Sequence, residues 1–145
     1  MTQPYALLLL TSTSELGATG RPTGAYLPEV LDAWTVLTER GFRLGLASPS
    51  GGRPPLEAVD ADNPDHLNFL RDPEVVRALE RGLRTDEITD LPQLVYLIGG
   101  HGAVFDLPVD PALTRLVEDV YRTGGVVAAV CHGPAGLLGA EIDGP

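Results

Sequence analysis

Apolar residues come in short, separated runs along this chain, and their spacing predicts alternating strands and helices. Tyr5 to Leu10 is a continuous apolar run of strand length, the pattern of a strand buried on both faces. A Gly/Thr/Ser-rich loop follows from Thr11 to Gly24. From Pro28 onward, Val30, Leu31, Trp34 and Leu37 recur at helical spacing, and Gly41 stops that helix. Phe42 to Ala47, Leu94 to Ile98 and Val126 to Val130 predict three further strands. Asp110 caps a helix that begins at Pro111, with Leu113, Leu116, Val117 and Val120 as its buried stripe and Gly124-Gly125 as its end. Residues 48 to 92 are proline-rich, charged and weakly periodic. A helix is expected there over Pro73 to Arg84, and the stretch reads as an inserted cap over one sheet edge.

This alternation implies an α/β fold: a flavodoxin-like, doubly wound, mainly parallel sheet with helices on both faces, a three-layer α/β/α sandwich. At 145 residues the chain is expected to be a single domain, 1–145. Ligand sites in such sheets form at the carboxyl ends of the strands. Three loops leave strands at that edge: Thr11 to Leu27, Gly99 to Leu107, and the turn at Cys131.

Charge narrows the partners. Ten Lys and Arg against twenty Asp and Glu give a net charge of −10, which argues against nucleic acid or an anionic membrane. Arg71 to Arg84 are interleaved with Asp72, Glu74 and Glu80, as on a solvated helix face. One cysteine leaves no disulfide framework and no cysteine-based zinc site. The run Tyr5 to Leu10 is too short for a signal core or a membrane span, and no Lys or Arg precedes it, so the expected location is the cytoplasm.

The chemistry centres on that single cysteine. Ala129-Val130-Cys131-His132-Gly133 has the small-x-nucleophile-x-small form of a nucleophile elbow, where a strand turns sharply into a helix. Ala135 to Leu138 reads as the opening of that helix, whose first amides and dipole favour the thiolate. The bland alternative is a buried small hydrophobe. His132 is a general base, an ion-pair partner for the thiolate, or a structural histidine; Glu141 and Asp143 are the carboxylates that follow it. Glu29 falls in the first turn of the first helix, where burial favours the protonated acid and the helix dipole the carboxylate. Its common use is simply to stabilise its own helix. Gly99-Gly100-His101-Gly102 lets backbone N–H groups approach a ligand, as an oxyanion hole requires, or makes a tight turn. Gly17 to Gly24 matches neither common phosphate-loop pattern.

Four ordered stretches resemble the DJ-1/PfpI superfamily of the class I glutamine amidotransferase-like fold, in its Hsp31-like, glyoxalase III-like branch. They are Thr23 to Glu29, Ser48 to Gly52, Gly99 to Gly102 with Asp106-Leu107-Pro108, and Ala128 to Pro134. The resemblance implies Cys131 as nucleophile, Glu29 as pocket acid, His132 as the histidine after it, and the amides of Gly100 and His132 as oxyanion donors, with Gly99 and His101 lining the pocket. It implies a cofactor-free glyoxalase III that turns methylglyoxal and water into lactate without glutathione. In that reaction Cys131 adds to the aldehyde, Glu29 or His132 moves a proton between the two carbons, and the thioester is hydrolysed. The expected partners are a small aldehyde substrate and a second copy of the chain, with neither nucleic acid nor membrane. The rival reading is a redox-sensing stress protein or chaperone that uses Cys131 and Glu29. Protease, amidase or glutamine amidotransferase chemistry is a weaker one, because it needs an acid partner not found here. Members of the family run on well beyond the elbow helix, whereas this chain stops about two turns after it, so one side of the sheet is expected to lie uncovered.

Overall fold

The computed structural model describes residues 2–143; Met1, Gly144 and Pro145 lie outside them. The elements in chain order are β1 (Tyr5–Leu9), β2 (Ala25–Tyr26), α1 (Leu27–Glu39), β3 (Arg43–Ser48), β4 (Leu56–Glu57), α2 (Pro64–Arg71), α3 (Pro73–Glu80), β5 (Leu83–Arg84), β6 (Leu94–Leu97), α4 (Ala103–Asp106), α5 (Pro111–Arg122) and β7 (Val126–Ala129). Five strands form one parallel sheet in the order β5-β3-β1-β6-β7. β2 and β4 pair, also in parallel, as a separate two-stranded ladder. The doubly wound α/β fold expected from the pattern is the one observed.

The continuous apolar run at β1 has a direct cause. Alternate side chains point to opposite faces, and both faces are covered. Tyr5, Leu7 and Leu9 join Val95, Leu97, Leu107, Leu113, Leu116, Val117 and Val120 on the α5 side. Leu8 and Leu10 join Leu27, Val30, Leu46, Phe69, Val75, Leu79 and Ile98 on the side of α1, α2 and α3. Each buried leucine contributes about 1.5–3 kcal/mol.

Helix ends follow local chemistry. Asn63, Asp72 and Asp110 accept hydrogen bonds from the first amides of α2, α3 and α5, each with proline in the first turn. α1 and α5 end alike, with Gly41 (φ +83°) and Gly124 (φ +80°) in the left-handed conformation. The amides of Phe42 and Gly125 reach back to the carbonyls of Leu37 and Val120, those of Gly41 and Gly124 to Thr38 and Tyr121, a Schellman motif in both places.

The helix expected over Pro73 to Arg84 ends early, at Glu80. Gly82 lies against Gly52, whose amide donates to the Gly82 carbonyl and whose own carbonyl a Cβ at Gly82 would overlap, and Leu83-Arg84 then pair with Ala47-Ser48 as an edge strand. The helix expected after the elbow is a 3-10 segment, Gly133–Leu137. Gly133, Pro134 and Gly136 are poor α-helix formers, and the turn closes with tighter bonds such as Ala135 N–H to the His132 carbonyl. The dipole facing Cys131 is correspondingly short. At the far edge of the sheet β7 is only half-buried, and Val126 (54%), Leu138 (78%) and Ile142 (46%) are exposed.

Candidate active site

Register sets the stage. Leu9 lies opposite Leu97 and Leu97 opposite Ala129, so the loops after β1, β6 and β7 leave the sheet at one level. Asp106 ties two of them together, accepting from the Thr11 hydroxyl and the Ser12 amide at 2.7 Å each.

Cys131 sits at the end of β7 with φ +55°, one of only two non-glycine residues in the left-handed region among those described. That conformation is the sharp elbow the sequence pattern predicts, and it leaves the cysteine exposed. Its surroundings require small residues. A Cβ on Gly133 would overlap the Leu97 carbonyl, and one on Gly136 would press on the Leu97 side chain. The Cys131 Sγ lies 3.3 Å from His132 Nδ1.

Glu29 projects from the first turn of α1 and its Oε2 accepts from the Gly99 amide at 2.8 Å. Gly99 stands between the carboxylate and the elbow. A Cβ at Gly99 would be 2.7 Å from Cys131 Cβ, 2.7 Å from Glu29 Oε2 and 3.0 Å from the His132 nitrogen. Only glycine lets the three come this close. Gly100 (φ +110°) is pressed against β2, where a Cβ would overlap the Gly24 carbonyl. The structure thus brings together Glu29, Gly99, Gly100, Cys131 and His132, and His101 lies at their rim with its ring 5.3 Å from that of His132.

Glu57 has no counterpart among the residues singled out by sequence. It ends β4, opposite Tyr26, and its Oε1 accepts from the His101 amide at 3.0 Å and lies 3.2 Å from His101 Nδ1. Its Oε2 accepts from the buried Thr23 hydroxyl at 2.9 Å. Partial burial works to raise the Glu57 pKa, but the His101 amide, the Thr23 hydroxyl and the charge and ring N–H of His101 outweigh it and hold the carboxyl below its ordinary value. Pro54-Pro55 bias the chain just before β4 to extended backbone, but no sequence pattern singles out Glu57 itself.

Two glutamates therefore occupy the amides of residues 99 and 101. Among the described residues, the amides of Gly100 and His132 donate to no protein acceptor. Both amides lie in the two turns that meet at Gly99.

The DJ-1/PfpI family model matches residues 24–143, which covers Glu29, Glu57 and the whole elbow. The chain belongs to the DJ-1/PfpI family. Relatives include the glutathione-independent glyoxalase HSP31 of Saccharomyces cerevisiae, 30% identical over 142 residues, 93% of this chain and 60% of the relative. Glyoxalase 3 of Candida albicans is 35% identical over 141 residues, 89% of this chain and 58% of the relative. The chain thus spans about 60% of the length of such curated relatives. The crystal structure of a glyoxalase III from Candida albicans superposes with a TM-score of 0.77 at 29% identity, covering 92% of this chain and 59% of that one. The Rapid Encystment Protein of Francisella tularensis shares the fold with a TM-score of 0.85 at 24% identity, covering 92% of this chain and 61% of that one. Among the described residues no helix is long and apolar enough to cross a membrane.

Proposed function

We propose that this protein is a cysteine-dependent glyoxalase that converts methylglyoxal and water to lactate without glutathione. The observation that carries the reading is the exposed, left-handed Cys131 held between Glu29 and two unpartnered amides. Kinship with proteins named glutathione-independent glyoxalases supports the choice of substrate. In this reading the Cys131 thiolate adds to the aldehyde carbon, a C–S bond forms, and the amides of Gly100 and His132 bind the new oxyanion. Glu29 takes the proton from that carbon and returns it to the neighbouring one, which leaves a thioester on Cys131 and an alkoxide on the second carbon that takes a proton from solvent to become the hydroxyl. Water then attacks the thioester, the C–S bond breaks, and lactate departs. His132, with Nδ1 on the sulfur, stabilises the thiolate before attack and after release.

The reaction sums to methylglyoxal plus water giving lactate, with no redox partner. The test is lactate formation from methylglyoxal by purified protein in glutathione-free buffer. Activity is expected in the wild type and none in Cys131→Ser; an inactive wild type whose thiol oxidises readily would transfer the site to redox sensing. A homodimer is kept as part of this proposal, with sedimentation of the purified protein as its check.

A further inference from the structure

We propose that Glu57 and His101 form the general base for the hydrolytic half of the reaction, Glu57 as a positioning residue and His101 as the group that takes the proton from the attacking water. The inference rests on the glyoxalase reading of Cys131 and adds to it the step that reading leaves without a base.

Two imidazoles stand side by side at the crevice, their ring centres 5.3 Å apart. Their partners differ. His132 spends Nδ1 on Cys131 Sγ, the atom that becomes the leaving group, so it belongs to the sulfur. His101 spends Nδ1 on a carboxylate, Glu57 Oε1 at 3.2 Å. A carboxylate behind one ring nitrogen keeps the proton there and leaves the other nitrogen, Nε2, as an acceptor of fixed direction. The His101 side chain is 65% exposed, so that acceptor meets solvent, where the water must come from.

The carboxylate is itself held on three sides. Thr23 donates to Oε2, and the His101 amide and ring both address Oε1. The residue after it, Ala58, has φ +61°, the only non-glycine besides Cys131 in the left-handed region among the described residues. The chain tolerates unfavourable backbone at the nucleophile and again beside Glu57. An ordinary surface ion pair between Glu57 and His101 would not need the buried threonine.

In the step itself, water oxygen bonds to the thioester carbon while its proton passes to His101 Nε2. The tetrahedral intermediate collapses, the C–S bond breaks, and its electron pair returns to Cys131 sulfur beside His132. Lactic acid leaves, and His101 gives its proton to solvent. Atoms and charge balance with water as the one co-reactant.

The experiment follows the covalent adduct. Wild type, Glu57→Gln, Glu57→Asp and His101→Asn are mixed with methylglyoxal, quenched in acid, and weighed intact, with hydroxylamine lability separating a thioester from a hemithioacetal. Glu57→Gln and His101→Asn are expected to lower kcat about 100-fold, with KM falling alongside it so that kcat/KM changes little, and to accumulate a hydroxylamine-labile adduct on Cys131. Glu57→Asp restores much of the rate. The ring ¹⁵N shifts of His101 are expected to report the Nδ1–H tautomer in wild type and a mixture in Glu57→Gln, a reading that does not depend on turnover. Variants that keep wild-type kcat, or that lose rate with no adduct, overturn this proposal and leave the glyoxalase reading standing. A wild-type His101 in the Nε2–H tautomer overturns it as well. Wild type that makes neither adduct nor lactate overturns both.

Discussion

Glu29 and Glu57 do the same thing to the same loop from opposite sides. Each accepts one backbone amide of the Gly99-Gly100-His101 turn, Glu29 from residue 99 and Glu57 from residue 101. Their settings differ. Glu29 rides on a thirteen-residue helix anchored in the core by Leu27 and Val30, and it meets the elbow across a glycine. Glu57 ends a two-residue strand, stands next to a left-handed alanine, and meets a second histidine instead of the cysteine. The inner carboxylate is positioned by the fold, whereas the outer one is positioned by hydrogen bonds. Between them, the Gly100 amide is left without a protein acceptor, which is what a substrate oxygen needs.

That contrast can be broken from the inside first. Glu29→Gln retains the size of the side chain and removes its ability to carry a proton away. We expect kcat for lactate formation to fall about 10³-fold with the fold intact by circular dichroism. A loss under tenfold would take the proton transfer away from Glu29. Gly99→Ala attacks the point that the inner carboxylate shares with the elbow, since its methyl group would meet Cys131 Cβ and Glu29 Oε2 at 2.7 Å. Denaturant titration should show a loss of about 1–3 kcal/mol, and unchanged stability would mean the crevice yields freely there. The smallest effect belongs to the outer side. Ala58→Gly relieves a left-handed alanine at the cost of a freer unfolded chain, and a net gain of about 0.5 kcal/mol is expected. A destabilised Ala58→Gly protein would show that the strain at residue 58 is not a cost borne for Glu57.

The same contrast explains which parts of the molecule are readable from sequence. Cys131, His132 and Glu29 announce themselves because they sit at the junctions of long periodic elements, where a strand ending or a helix start gives each position a meaning. The sheet and its outer helices are legible for that reason, and so is α5, from Asp110-Pro111 to Gly124-Gly125. Residues 48 to 92 are different. Their strands, β4 and β5, are two residues each, too short to show any period, and Glu57 lies in one of them. α2 was legible in principle. Asn63-Pro64 is the same start signal as Asp72-Pro73 and Asp110-Pro111, but its eight residues carry little apolar stripe to follow. The early end of α3 turns on Gly82 and its contact with Gly52, thirty residues away, and no local pattern records a contact of that range. Ala58 is harder still, because nothing about alanine predicts a left-handed backbone.

Asp106 has a consequence for selectivity. By accepting from the Thr11 hydroxyl and the Ser12 amide at the last residue of α4, it ties the exit of the central strand to the segment that follows the Gly99-Gly100-His101 turn. If the protein is the glyoxalase proposed above, walls tied in this way set the opening above Cys131, and aldehydes are sorted by size at entry; Asp106→Ala is then expected to narrow the kcat/KM preference for a small aldehyde over a bulky one.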